Sequence, residues 1–175
     1  MSDGAVDPAL FRDVCGRFAT GVCVITSFGD QGPSGMTANA VTSLSLRPPL
    51  VIVCFDLGAR TLTAVERSRR LGVHFLAHDQ EAEAARFASK LPEPEKFSEV
   101  RWSERSGVPA LDGSLGTLVC ELRELRPGGD HMIGICEVVD LWASEGDPLV
   151  FFRGDYWKLG EREAAPPEVD EALEA

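Results

Sequence analysis

Three short stretches of this chain carry residue types suited to gripping a small molecule. The first is Gly35-Met36-Thr37-Ala38-Asn39-Ala40-Val41-Thr42-Ser43-Leu44-Ser45-Leu46, unusually rich in small and hydroxyl-bearing residues. Small side chains let a flat ring approach the backbone. Backbone amides and carbonyls, with Asn39 and the hydroxyls, can then pair with a heterocycle edge. By two-residue alternation Thr37, Asn39, Val41, Ser43 and Ser45 share one face. An ordinary edge strand turning polar residues to water reads the same way. The second stretch is Gly58-Ala59-Arg60-Thr61, ahead of a short helix. A helix start offers free amides and the positive end of a dipole, and Arg60 and Thr61 add a charge and a hydroxyl, which suits a phosphate. A plain cap beside a solvated arginine is the competing reading. The third is Gly128-Gly129-Asp130-His131, a tight turn whose histidine either meets a ligand or is simply solvated. Aromatics at Phe151, Phe152, Tyr156 and Trp157 can cover a ring or close a core, and Phe97 can shield a ring or pack a hinge.

Familiar catalytic signatures are missing. The chain holds no GxGxxG, no GxxxxGK[ST], no HExxH and no GxSxG. If it is an enzyme, a bound cofactor supplies the chemistry. The five cysteines form no CxxC pair and sit mostly in apolar runs, which reads as buried thiols in a reducing compartment. His74, His78 and His131 lack zinc-type spacing, so no metal is expected. The net charge of −11 repels a phosphate backbone and argues against nucleic-acid binding. An anionic ligand would need arginine, lysine and amides concentrated locally. No apolar run is long enough for a bilayer, and the start MSDGAVDPAL lacks a secretory pattern, so a soluble, cytoplasmic protein is expected.

These stretches need a scaffold. A helix is expected first, capped by Asp7 with Pro8 in its first turn and ended by Gly21. Leu10, Phe11, Val14, Cys15 and Phe18 form a stripe at three- and four-residue spacing, which reads as core packing. Strands are expected over 22–28, 35–46, 50–55, 71–77, 115–125, 131–144 and 149–159. Short helices follow Thr61 (to about Ser68) and Asp79 (to about Ser89), each capped by the named residue. Residues 90–114 read as a long excursion of the kind that often serves binding. Many antiparallel strands with few helices predict a mainly β fold, a β-barrel with short peripheral α-helices, over residues 1–160. Residues 161–175 read as an acidic, flexible tail.

Taken together, FATGVCVITS, GMTANAVTSLSLRPPLVIVCFD, ARTLTAVERS, RFASK with EKF, GVPALDG, GGDHMIGICEVVD and PLVFFRGDYWKL resemble, in this order, the flavin reductase-like family. The resemblance spans roughly Phe11 to Leu159. It implies a homodimeric FMN-binding split barrel with a Greek-key core. The implied activity is reduction of FMN or FAD by NADH or NADPH through hydride transfer to flavin N5, with reduced flavin released to a separate monooxygenase component. By similarity, Met36, Thr37, Ala38, Asn39, Ser43 and Ser45 would line the ring and ribityl chain, and Ala59, Arg60 and Thr61 would hold the phosphate. His131 would place the nicotinamide, and Phe97 and Tyr156 would lie near the flavin. His74 stands where many relatives carry asparagine. A pyridoxamine-phosphate-oxidase-type split-barrel flavoprotein and a non-catalytic flavin-binding protein are the alternatives.

Overall fold

The computed structural model describes residues 6–160; the acidic stretch 161–175 lies outside them. Helix α1 (Pro8–Gly16) begins as its sequence predicts: Asp7 accepts a 2.9 Å hydrogen bond from the Ala9 amide and Pro8 occupies the first turn. It ends at Gly16 rather than Gly21, which falls in the two-residue strand β1 (Thr20–Gly21). Its apolar stripe is not core. Leu10, Phe11, Val14 and Phe18 are 56–78% exposed, and no residue of α1 is buried. Helical spacing announces an apolar face but not what covers it.

Seven strands form one antiparallel sheet in the order β3-β2-β6-β9-β10-β5-β4. They are β2 (Cys23–Gly29), β3 (Gly32–Ala38), β4 (Val41–Leu46), β5 (Pro49–Asp56), β6 (Arg70–Phe75), β9 (Gly116–Gly128) and β10 (His131–Ala143). Consecutive strands β3 and β4 are its two edges, yet only Asn39 and Ala40 join them. The sheet must therefore curl until its edges meet at this corner. No ladder joins β3 to β4 among the described residues, so the barrel is split along that seam. The Cys54 amide bonds the Ala40 carbonyl at 3.0 Å and ties the corner to β5. The single strand expected over 35–46 is thus two strands on opposite edges. A register shift between Ser43 and Ser45 further breaks the shared face expected for Thr37 through Ser45.

The barrel interior is filled by alternate residues of these strands, among them Ile25, Val53, Phe55, Val73, Cys120 and Cys136. Leu62 and Val65 of helix α2 (Arg60–Ser68) join the same cluster. Burial holds the thiols of Cys23, Cys120 and Cys136 up at about 12, so they behave as apolar filler; Cys15, by contrast, is exposed.

A second cluster joins Val22, Val24, Leu76, Ala84, Phe87, Phe97, Leu111 and Leu149. It fastens α3 (Glu81–Ala88) and α4 (Glu93–Ser98) to the outside of the sheet. The stretch expected as a loop excursion therefore contains α4 and the hairpin β7 (Trp102–Arg105) and β8 (Val108–Leu111). All four residues of β8 are buried. The last strand expected over 149–159 is instead the hairpin β11 (Leu149–Phe152) and β12 (Asp155–Lys158). Arg153 and Gly154, with φ of 52° and 86°, form its turn.

His74 lies in the middle of β6 with no solvent exposure. Thr26 gives its hydroxyl proton to the Pro109 carbonyl (2.6 Å), so it accepts from His74 Nε2–H (2.9 Å). Nδ1 is then left to accept from the Thr117 hydroxyl at 3.1 Å. This chain stitches β2, β6, β8 and β9 together around a neutral imidazole. Burial pulls its pKa down to about 4.

Candidate functional site

The predicted ligand residues do not all meet, but a defined subset does. A cavity of about 500 Å³ lies between β3, the start of α2, the end of α3 and α4. Its walls include Gly35, Met36 and Thr37 from β3, and Asp56, Gly58, Ala59, Arg60 and Thr61 from the β5–α2 junction. Phe87, Ser89, Lys90, Glu93 and Lys96 come from the segment beyond. Two of the three predicted stretches thus converge here.

Local chemistry explains each position. β3 comes close to α3 because Gly35 has no side chain: a Cβ there would sit 2.6 Å from the Phe87 ring. Thr37 donates its hydroxyl to the Ala84 carbonyl at 2.6 Å and fixes α3 against the strand. Asp56 ends β5 and accepts the Gly58 amide at 2.7 Å, which turns the chain into α2. Its cap position is Ala59, not Thr61, and it has no side-chain cap. The Leu62 amide bonds back to the Ala59 carbonyl at 3.1 Å, which leaves the Arg60 and Thr61 amides at the positive end of the dipole. Thr61 lies inside the helix, buried, with its hydroxyl 3.1 Å from that of Ser34. The helix after Asp79 likewise starts one residue later than predicted, with Gln80 at its cap position.

The cavity gathers positive charge in an acidic protein. Arg60, Lys90 and Lys96 line it, including two of the three lysines in the chain. Lys96 is buried, and its ammonium donates to the carbonyls of Gly35 (3.0 Å) and Phe87 (3.2 Å). Burial lowers its pKa and the nearby Glu93 raises it. Free helix amides, three cations and small-residue walls fit a phosphate-bearing aromatic group.

His131 opens β10 directly after the turn that ends β9, and it pairs across the ladder with Asp56, a wall residue of the cavity. The third stretch therefore stands beside the cavity. His131 Nδ1 is 2.7 Å from a carboxylate oxygen of Asp130. A carboxylate accepts only, so Nδ1 carries the proton and Nε2 remains as the free nitrogen. The hydrogen bond from His131 holds the Asp130 carboxyl below its usual range.

Other candidates lie apart. Ala38 faces the barrel core. Asn39 lines a different and largely apolar hollow of about 960 Å³ between α1 and the seam, with Phe11, Phe18, Val41 and Phe151. Ser43 and Ser45 lie past the corner on β4, where Ser45 accepts the Arg47 amide at 3.1 Å. Phe97 is buried behind Gly35, its ring edge-on to Phe87 at 5.0 Å and Trp102 at 5.6 Å, and it does not line the cavity. Tyr156 packs edge-on to Phe151 beside the second cluster. Sequence reasoning missed Lys90, Glu93 and Lys96 as site residues; the scarcity of lysine was the available signal.

Comparison with known proteins agrees with this geometry. Residues 15–160 match the family model described as a flavin reductase like domain. The chain is 39% identical over 173 residues to the reductase subunit of a flavin-dependent monooxygenase from Rhodococcus jostii, covering 98% of this chain and 88% of the relative. Among solved structures it is similar to nitrilotriacetate monooxygenase component B from Mycobacterium thermoresistibile. That match has a TM-score of 0.88 and 34% identity over 99% of this chain and 98% of the other. It is also similar to the NADH:FAD oxidoreductase of Streptomyces globisporus C-1027, solved with NAD and FAD fragments (TM-score 0.80, 34% identity, 96% and 100% coverage). The fold is thus shared with these proteins, and the chain belongs to the flavin reductase-like family.

Proposed function

We infer that this chain is a flavin reductase, which uses NADH or NADPH to reduce FMN or FAD and passes the reduced flavin to a separate oxygenase. The observation that carries the reading is the meeting of β3 and the uncapped start of α2 around one cation-lined cavity, with the His131 turn beside it. The names of the relatives support it. When bound, flavin takes up the hydride of the nicotinamide and carries the redox chemistry. The chain binds, orients and excludes water. First-turn amides of α2, with Ala59, Arg60, Thr61 and Lys90, hold the phosphate. Met36 and Thr37 border the ring end. His131, with Nδ1–H committed to Asp130, accepts a nicotinamide carboxamide N–H at Nε2 and so places that ring.

The exposed apolar side of α1 and the hollow beside it support a homodimer. Sedimentation should show a dimer at micromolar concentration, and a lone monomer there would remove it. No helix among the described residues is long and apolar enough to cross a membrane. Five free thiols support a reducing compartment, the cytoplasm. The activity is tested by anaerobic mixing of protein, NADH and FMN or FAD. Loss of the oxidised-flavin absorbance is expected. A yellow protein that leaves NADH unconsumed would overturn the reading in favour of a flavin-binding or oxidase role.

A further inference from the structure

We propose that Glu93 is a built-in competitor for the flavin phosphate: its carboxylate engages Arg60 and keeps the phosphate cradle weak enough for reduced flavin to leave. The proposal rests on the reading above. In a cavity suited to an anion, the chain supplies one of its own. Glu93 Oε1 lies 2.9 Å from Arg60 Nε and 3.7 Å from Lys96 Nζ, and Oε2 accepts the Gly35 amide at 2.8 Å. Arginine, lysine and a backbone amide around one carboxylate are the donors that an incoming phosphate would use.

The two partners are held unequally. Glu93 is fastened by the Gly35 amide and flanked by Pro92 and Pro94, and its side chain is 16% exposed. The Arg60 side chain is 50% exposed and also donates to the Leu91 carbonyl. The ion pair is close but poorly aligned, for Oε1 is buried without a hydrogen-bond partner among the described residues. A better-placed oxyanion can therefore draw Arg60 away while the carboxylate stays behind and opposes it. Residence time follows affinity, so such opposition suits a protein whose product must depart for another enzyme.

The test compares FMN with riboflavin, which lacks the phosphate, by titration at low ionic strength. Glu93→Gln removes the charge. FMN should bind roughly fivefold more tightly, the scale of one partly exposed ion pair, with riboflavin unchanged. In an Arg60→Gln background the same substitution should tighten FMN binding less, because only the direct repulsion by the carboxylate is then relieved. If FMN binding is unchanged or weaker while riboflavin binding is intact, Glu93 orients Arg60 or is inert, and the proposal fails. If the unaltered protein binds riboflavin as tightly as FMN, the phosphate assignment itself fails. Should Glu93→Gln lose riboflavin binding, Glu93→Asp serves instead. It keeps the charge beside Lys96 but withdraws from Arg60, and absence of tightening again overturns the proposal.

Discussion

Two histidines on neighbouring parts of the same sheet show how position assigns a residue its work. His74 lies mid-strand, with both ring nitrogens engaged by threonine hydroxyls and no solvent exposure. His131 stands at a strand start, half-buried, with Nδ1 engaged by Asp130 and Nε2 free. A fully satisfied imidazole can only hold the fold together, whereas one nitrogen left over can meet a ligand. The difference lies in the ladder: β6 is flanked by β2 and β9 on either side, while His131 opens β10 at a turn.

The comparison predicts separable defects. The largest belongs to His74→Ala, which leaves the Thr117 hydroxyl without its partner and a cavity in a buried site. Unfolding free energy should fall by about 3–4 kcal/mol, read from urea titrations. Affinity for NADH should be unaltered in the molecules that remain folded. A loss below about 1 kcal/mol would show that the network is dispensable.

The same residue should make stability depend on pH. Its pKa is about 4 in the folded chain and near 6.5 when unfolded. The unfolded state therefore takes up a proton first as pH falls, and stability declines between pH 6.5 and 4 by about 3 kcal/mol, then levels off. Above pH 6.5 the contribution is complete. The signature is the difference between parent and His74→Ala: the variant should lack this part of the decline. Parallel curves would break the assignment.

The smallest effect belongs to His131→Ala. The KM for NADH should rise about tenfold, the worth of one hydrogen bond to a placed ring. Flavin affinity and the thermal midpoint should scarcely move. Loss of flavin binding with NADH saturation intact would reverse the role assigned to His131.

How far such features can be read from sequence differs by element. The barrel strands were readable because apolar runs rich in β-branched and aromatic residues mark them directly, as in Cys23–Gly29 and Pro49–Asp56. The corner at Asn39-Ala40 was not. Small polar residues continue the alternation on both sides, and nothing local says that the chain changes sheet edge there. The α1 stripe was seen as apolar and misplaced in the core, because periodicity is blind to the covering partner. At α2, Thr61 looked like the better cap by side-chain chemistry, yet the turn built by Asp56 starts the helix two residues earlier. The phosphate cradle was located from Arg60, while its other half, on α4, comes from more than thirty residues away and carries no local motif.

One bond pattern has a consequence beyond ligands. β3 is an outermost strand, and such strands tend to recruit other chains through their unpaired backbone. At Gly35 the outward amide is taken by Glu93 and the outward carbonyl by Lys96. The charged pair that frames the cavity thus also blunts this margin of the sheet against sticky self-pairing. Protein altered at Lys96 should betray itself first by clumping during expression, before any assay of turnover is run.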